Sequence, residues 1–174
     1  MWIFKLDSYI KRPKVEIYNL SILNQKPDEY FVKLDNDEGF REIIEDIDIN
    51  YIEGVICFEY NGSVIMDFTY WDIIDQLWAY ILNLIEDYLE NEEAEVYFPD
   101  QLIKLKMKTI NNNLILLSVE SDSSVQVTLP KKDFFQAILK SGEDFFRKIQ
   151  DYFEGSLDYS YELKKISKLE DMID

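Results

Sequence analysis

The sequence predicts an α+β fold, a mostly antiparallel sheet packed with two long amphipathic helices. Three observations carry this. Short apolar or alternating runs, broken by Pro, Asn and Gly, read as strands in two groups. Two longer stretches repeat apolar residues at helical spacing, one leading to Glu90 and one ending before Gly155. The groups follow one another as strands, helix, strands, helix, an order that favours antiparallel pairing within each group. With 174 residues, 47% apolar and 15% aromatic, the chain is long and rich enough for one domain with a substantial core. That domain is expected over residues 1–155, followed by a polar tail at 156–174 that docks or frays.

In order, Trp2–Leu6, Val15–Ile22 and Tyr30–Leu34 are expected to be extended, separated by Lys11-Arg12-Pro13 and Lys26-Pro27-Asp28. Asp35-Asn36-Asp37-Glu38-Gly39 has the look of a calcium loop. However, Gly39 and Asp46 stand where such a loop needs a ligand and a bidentate Glu. The run reads instead as a turn capping a short helix over Glu38–Asp46. Val55–Tyr60 and Ser63–Phe68 flank Asn61-Gly62, the pair preferred in a two-residue type I′ turn. That turn sets Glu59 opposite Val64, Cys57 opposite Met66 and Val55 opposite Phe68. Phe58 then faces Ile65, and Ile56 faces Asp67. Both faces are largely apolar, so the hairpin is expected at the centre of its sheet, covered on both sides.

Thr69 and Asp72 have capping-box spacing, so a helix is expected from near Tyr70 to about Glu90. Its apolar stripe is Ile74, Leu77, Trp78, Ile81, Leu82, Ile85, Tyr88 and Leu89; Asp72, Asp75, Asn83, Glu86 and Glu90 lie opposite. Trp71 and Trp78 on this helix read as core packing rather than a ligand cage. Glu95–Phe98, Leu102–Ile110 and Leu114–Val119 form a meander that continues into Val125–Leu129. A loop at Asn111-Asn112-Asn113 sets Thr109, Met107 and Leu105 opposite Ile115, Leu117 and Val119. Lys104, Lys106 and Lys108 occupy the other face, with Lys104 opposite Glu120. After Pro130, a second amphipathic helix carries Phe134, Phe135, Phe145 and Phe146 towards a stop at Gly155.

The charge is distributed unevenly. There are 35 acids against 18 bases, and Glu42 through Ile103 holds 16 acids with no Lys or Arg. A net charge of −17 argues against nucleic acid or anionic lipid as a direct partner and permits attraction to a basic protein. Ordinary surfaces mix both signs, so the missing bases mark a candidate partner-binding surface more than the many acids do. It comprises Asp72, Asp75, Glu86, Asp87, Glu90, Glu92 and Glu93. The competing reading is a solvated face that gives solubility. Glu90, Glu92 and Glu93 stand at a helix C-terminus, where each opposes the macrodipole by a few tenths up to ~1 kcal/mol.

No catalytic residues, metal site or cofactor are assigned. The chain has no His, which removes Ser-His-Asp and Cys-His activation and most zinc and iron sites. Five glycines supply no phosphate loop, and no spacing singles out a carboxylate pair. The protein is therefore expected to be non-enzymatic. Asp67 on the hairpin is the best candidate for a functional buried acid, against the plainer reading of a hydrogen-bonded structural position. Cys57, alone, reads as a buried inert thiol. No signal peptide is visible. The apolar run Ile73–Leu89 is interrupted by Asp75, Gln76, Asn83, Glu86 and Asp87, so no membrane span is expected and the chain reads as cytoplasmic.

Two stretches suggest a family. One is Tyr70-Trp71-Asp72-Ile73-Ile74-Asp75-Gln76-Leu77-Trp78. The other is Val127-Thr128-Leu129-Pro130-Lys131-Lys132-Asp133-Phe134-Phe135, with the later Phe145-Phe146. Over residues 53–153 the chain resembles the immunity proteins paired with bacterial polymorphic or contact-dependent toxins, in style rather than by one defining motif. The resemblance implies inhibition of a toxin by tight binding, with a nuclease's basic surface as what an acidic partner covers. It carries no residue-level role. Two other classes fit the composition: a phage-type acidic nucleic-acid mimic that inhibits a DNA-binding protein, and a structural or scaffold subunit with an apolar interface. Oligomeric state is not specified by the sequence.

Overall fold

A computed structural model describes residues 3–173; Trp2, which opens the first expected strand, lies outside them. The fold is α+β, with two antiparallel sheets rather than one. In the first, β1 (Phe4–Lys11) lies between β2 (Phe31–Lys33) and β3 (Glu53–Tyr60), and β3 pairs on its far side with β4 (Ser63–Met66). A two-residue strand, β5 (Asp72–Ile73), pairs with the beginning of β3, setting Gly54 opposite Asp72. The second sheet is a meander of β6 (Glu93–Tyr97), β7 (Lys104–Thr109), β8 (Leu114–Glu120) and β9 (Ser124–Pro130). Its register is the expected one, Thr109, Met107, Leu105 and Lys104 facing Ile115, Leu117, Val119 and Glu120.

The Asn61-Gly62 turn forms as expected, with φ of 48° and 82°, the left-handed values a type I′ turn needs. Glu59 faces Val64, but a bulge between Phe58 and Glu59 then shifts the pairing, and Met66 stands opposite Phe58 instead of Cys57. The bulge allows consecutive side chains, Ile65 and Met66, both to reach the core. β3 is central, whereas β4 is an edge strand with Val64 exposed, so only half of the hairpin is covered on both sides.

Val15–Ile22 is not a strand. Asn19 Oδ1 accepts from Ser21 N at 3.0 Å and caps a single 3-10 turn over Leu20–Ile22. This favours local turning over sheet pairing. The segment instead covers the outer face of the first sheet, where Leu23, Ile17, Phe31, Val55 and Tyr9 pack together. A short α1 (Pro27–Tyr30) follows, and α2 (Asp37–Ile43) begins where Asn36 Oδ1 accepts from Gly39 N at 3.0 Å. Asp67 likewise has a structural place. Its Oδ1 accepts from Thr69 N at 2.9 Å, capping the turn at Phe68–Tyr70, and its Oδ2 accepts from Asn24 Nδ2 at 2.9 Å.

The long helix α3 (Ile74–Asn91) starts later than Thr69 and Asp72 suggest, and no side chain caps it. Strand pairing at Asp72–Ile73 fixes those two residues as extended, which delays the first helical turn. α4 (Lys131–Tyr152) carries Phe134, Phe135, Phe145 and Phe146 into the core, all fully buried beside Trp78 and Phe58. The Trp78 indole N–H donates to Ser8 Oγ at 3.1 Å, so this buried ring has its polar atom satisfied. Residues Ser160–Ile173 form α5, which buries Ile166 and Leu169 against the same core. No helix among the described residues is long and apolar enough to cross a membrane.

Candidate functional site

The seven acids marked by the sequence do not form one surface. Asp72 is 2% exposed. Its Oδ1 accepts from Ile73 N at 2.6 Å and Asp100 N at 3.1 Å, and its Oδ2 accepts from Gln101 N at 2.8 Å. It therefore anchors the β6–β7 loop, and the Gln101 side-chain amide completes the anchor by donating to Trp71 O. Asp75 accepts from Tyr159 Oη at 3.0 Å and Gln76 N at 2.9 Å. Burial raises its carboxyl above the ordinary range, and the two hydrogen bonds oppose that shift without cancelling it.

Glu86 lies 2.5 Å from Lys165 Nζ and 2.9 Å from Lys168 Nζ, both on α5. Hydrogen bonds from those two lysines hold its carboxyl below the usual range. Lys165 also donates to Asn83 Oδ1 at 2.6 Å. The side of α3 expected to face solvent is thus partly covered by α5. Glu93 is 2.8 Å from Lys106, whose hydrogen bond likewise lowers its carboxyl. Lys104 bridges Glu95 at 3.5 Å and Glu120 at 3.1 Å. The bases missing from the block in sequence therefore return to it in space, from β7 and from α5.

Asp87, Glu90 and Glu92 remain. All three are exposed, and none is in an ion pair within the described residues. Glu92 closes α3 in the left-handed conformation, φ 61°, with its amide donating to Tyr88 O at 2.7 Å. That place usually goes to Gly, and a side chain there costs about 1 kcal/mol.

Sequence reasoning missed a second acidic locus, at the opposite end of α3. Tyr51 Oη donates to Asp100 Oδ2 at 2.7 Å across 49 positions of sequence. That bond, then burial and the charges of Asp100, Glu53 and Asp72, pushes the Tyr51 hydroxyl up to about 12. No local pattern signals this contact. The α5 lysines were more accessible to reasoning: a weak stripe at Leu163, Ile166, Leu169 and Ile173 places Lys165 and Lys168 beside it. Cys57 is half-buried, and burial, followed by the charges of Asp67, Asp7 and Glu59, pushes its thiol up to about 12. Comparison with protein-family models, curated proteins and solved structures finds no match.

The two covered acids should respond oppositely to pH. Asp75 has a raised folded pKa, so its contribution to stability is present below its unfolded pKa and lost as pH rises through the folded value. Asp75→Asn retains an acceptor for Tyr159 and should raise the urea midpoint at pH ~7, the gap closing by pH ~3.5. Glu86 has a lowered folded pKa, so its contribution is present above its unfolded pKa and lost as pH falls. Glu86→Gln should cost about 1 kcal/mol at neutral pH, a surface pair strengthened by the mostly covered Lys165, and little in acid. Midpoints for either variant that move in parallel with wild type across this range would contradict the assignment.

Proposed function

We propose that this chain is a non-enzymatic binding protein that neutralises a basic protein partner by covering its positive surface, in the manner of the immunity proteins it resembles. One observation carries this reading. Folding returns lysines to Glu86, Glu93 and Glu95, yet Asp87, Glu90 and Glu92 stay exposed and unpaired at the end of α3. Glu90 and Glu92 stay there against the helix dipole, and Glu92 also against its backbone preference. A chain selected only for stability places Lys and Gly at such a terminus. Exposed charge of one sign speeds association with an oppositely charged partner and rejects wrong ones. The resemblance supplies the partner class, a toxin whose positive surface binds nucleic acid.

The test begins by isolating the partner from the native host on the tagged chain and purifying it. Association rates are then measured for wild type and for the triple variant Asp87→Asn, Glu90→Gln, Glu92→Gln. The variant should fold with unchanged or slightly higher stability. It should associate roughly threefold to tenfold more slowly at low salt and depend less on salt. Equal rates at low and high salt would identify these acids as a solvated face. A nuclease toxin as partner supports the immunity reading; a non-toxic DNA-binding protein would move the chain to the nucleic-acid-mimic class.

A further inference from the structure

We propose that the β6–β7 loop is an apolar anchor site for a protein segment that carries a hydrophobic side chain flanked by Lys or Arg. This rests on the reading of the chain as a binder of basic proteins. It adds a contact near the N-terminal end of α3, an 18-residue helix about 27 Å long whose other end carries Asp87, Glu90 and Glu92.

The loop is held rigidly from beneath. Asp72 takes the amides of Asp100 and Gln101, Phe98 N donates to Ile103 O at 2.8 Å, and Ile103 N donates to Gln101 O at 2.8 Å. The last bond closes a tight turn centred on Leu102. Phe98 and Ile103 on either side are buried, yet Leu102 itself is 90% exposed. Its exposure is therefore not that of a frayed loop; the backbone fixes the side chain outward. A leucine kept in water forgoes about 1.5–3 kcal/mol of burial. Single exposed apolar residues are common, but Leu102 lines a groove of about 260 Å³ together with Leu20, which is 47% exposed.

The rest of the groove points to the chemistry of the occupant. The Thr69 and Ser121 hydroxyls already donate, to Asp67 Oδ1 and Ser123 O, and are left as acceptors, Asp122 adds a negative charge, and no Lys or Arg among the described residues lines the groove. Asp100, next to Gln101 in the wall, is oriented by the Tyr51 hydroxyl. A preformed apolar contact ringed by polar groups keeps the ordering cost of binding low and is the arrangement of interface hot spots. The acidic rim selects a partner with bases beside its apolar group, and rejects a second copy of a chain with net charge −17.

Two synthetic octapeptides test this on the full-length, isotope-labelled protein, one of Lys, Arg and Gly only, the other identical but with a central Phe. The Phe peptide should shift the Leu102 and Leu20 methyl resonances and bind about tenfold tighter than its control. Leu102→Ser, a change at an exposed position, should abolish that difference and leave the rest of the spectrum unchanged. Equal affinities for the two peptides, or shifts confined to Asp87, Glu90 and Glu92, overturn the anchor and leave the acidic-binder reading standing. Failure of both peptides to bind removes both.

Discussion

Asp72→Ala should cost about 3–4 kcal/mol, the largest loss from any acid in the chain. The carboxylate is 2% exposed and takes the amides of its neighbour Ile73 and of two consecutive loop residues, Asp100 and Gln101. Alanine leaves those donors without their acceptor, the Ile73 amide in a buried place and the two loop amides in a partly covered one. Each buried orphan costs about 1–3 kcal/mol, less whatever the loop recovers by moving towards solvent. Asp72→Asn should fall between, because its amide group presents N–H to N–H on one side. Urea denaturation measures the loss, and hydrogen exchange at Asp100 and Gln101 should accelerate before any other loop. A loss below ~1 kcal/mol would mean that the loop is held by Phe98 and Ile103 alone.

The same residue shows where sequence reasoning stops. Asp72 stands three positions after Thr69 and in phase with the acids of α3, so local pattern gives it a cap and a solvent face. Its actual role depends on β5 pairing with β3 and on a loop 28 residues away. Where structure follows from neighbours in the chain, the reading holds: Asn61-Gly62 makes its turn, Asn36 caps α2, and the alternation from Lys104 to Val119 fixes the meander register. The bulge beside Phe58 depends on what β4 must bury, which the hairpin residues alone do not state. Charge reasoning fails for a related reason. A block without bases in sequence acquires Lys104, Lys106, Lys165 and Lys168 once β7 and α5 fold onto it, and only three of the seven marked acids stay exposed and unpaired.

Gly54→Ala should cost about 3 kcal/mol or more, although alanine at an unstrained position stabilises by roughly 0.4–1 kcal/mol through the unfolded chain. A Cβ at Gly54 would lie 2.3 Å from Tyr9 O and 3.0 Å from Ile74 Cγ2. The first is backbone of the neighbouring strand β1, so no rotamer change relieves it. The second belongs to the first residue of α3, itself fully buried. Relief therefore requires β1 and β3 to separate, either by a shift of β1 or by a shift of β3 that presses on Ile74 and moves β5 and the start of α3 with it. The second movement would carry Asp72, opposite Gly54 in the β3–β5 pair, off the loop it anchors. Gly54→Ala and Asp72→Ala should consequently be non-additive, the double variant losing less than the two single losses together by about 1 kcal/mol. A double-mutant cycle in urea measures that coupling. Additive losses would mean that the strain is relieved at β1, and that the anchor under Leu102 is independent of the sheet.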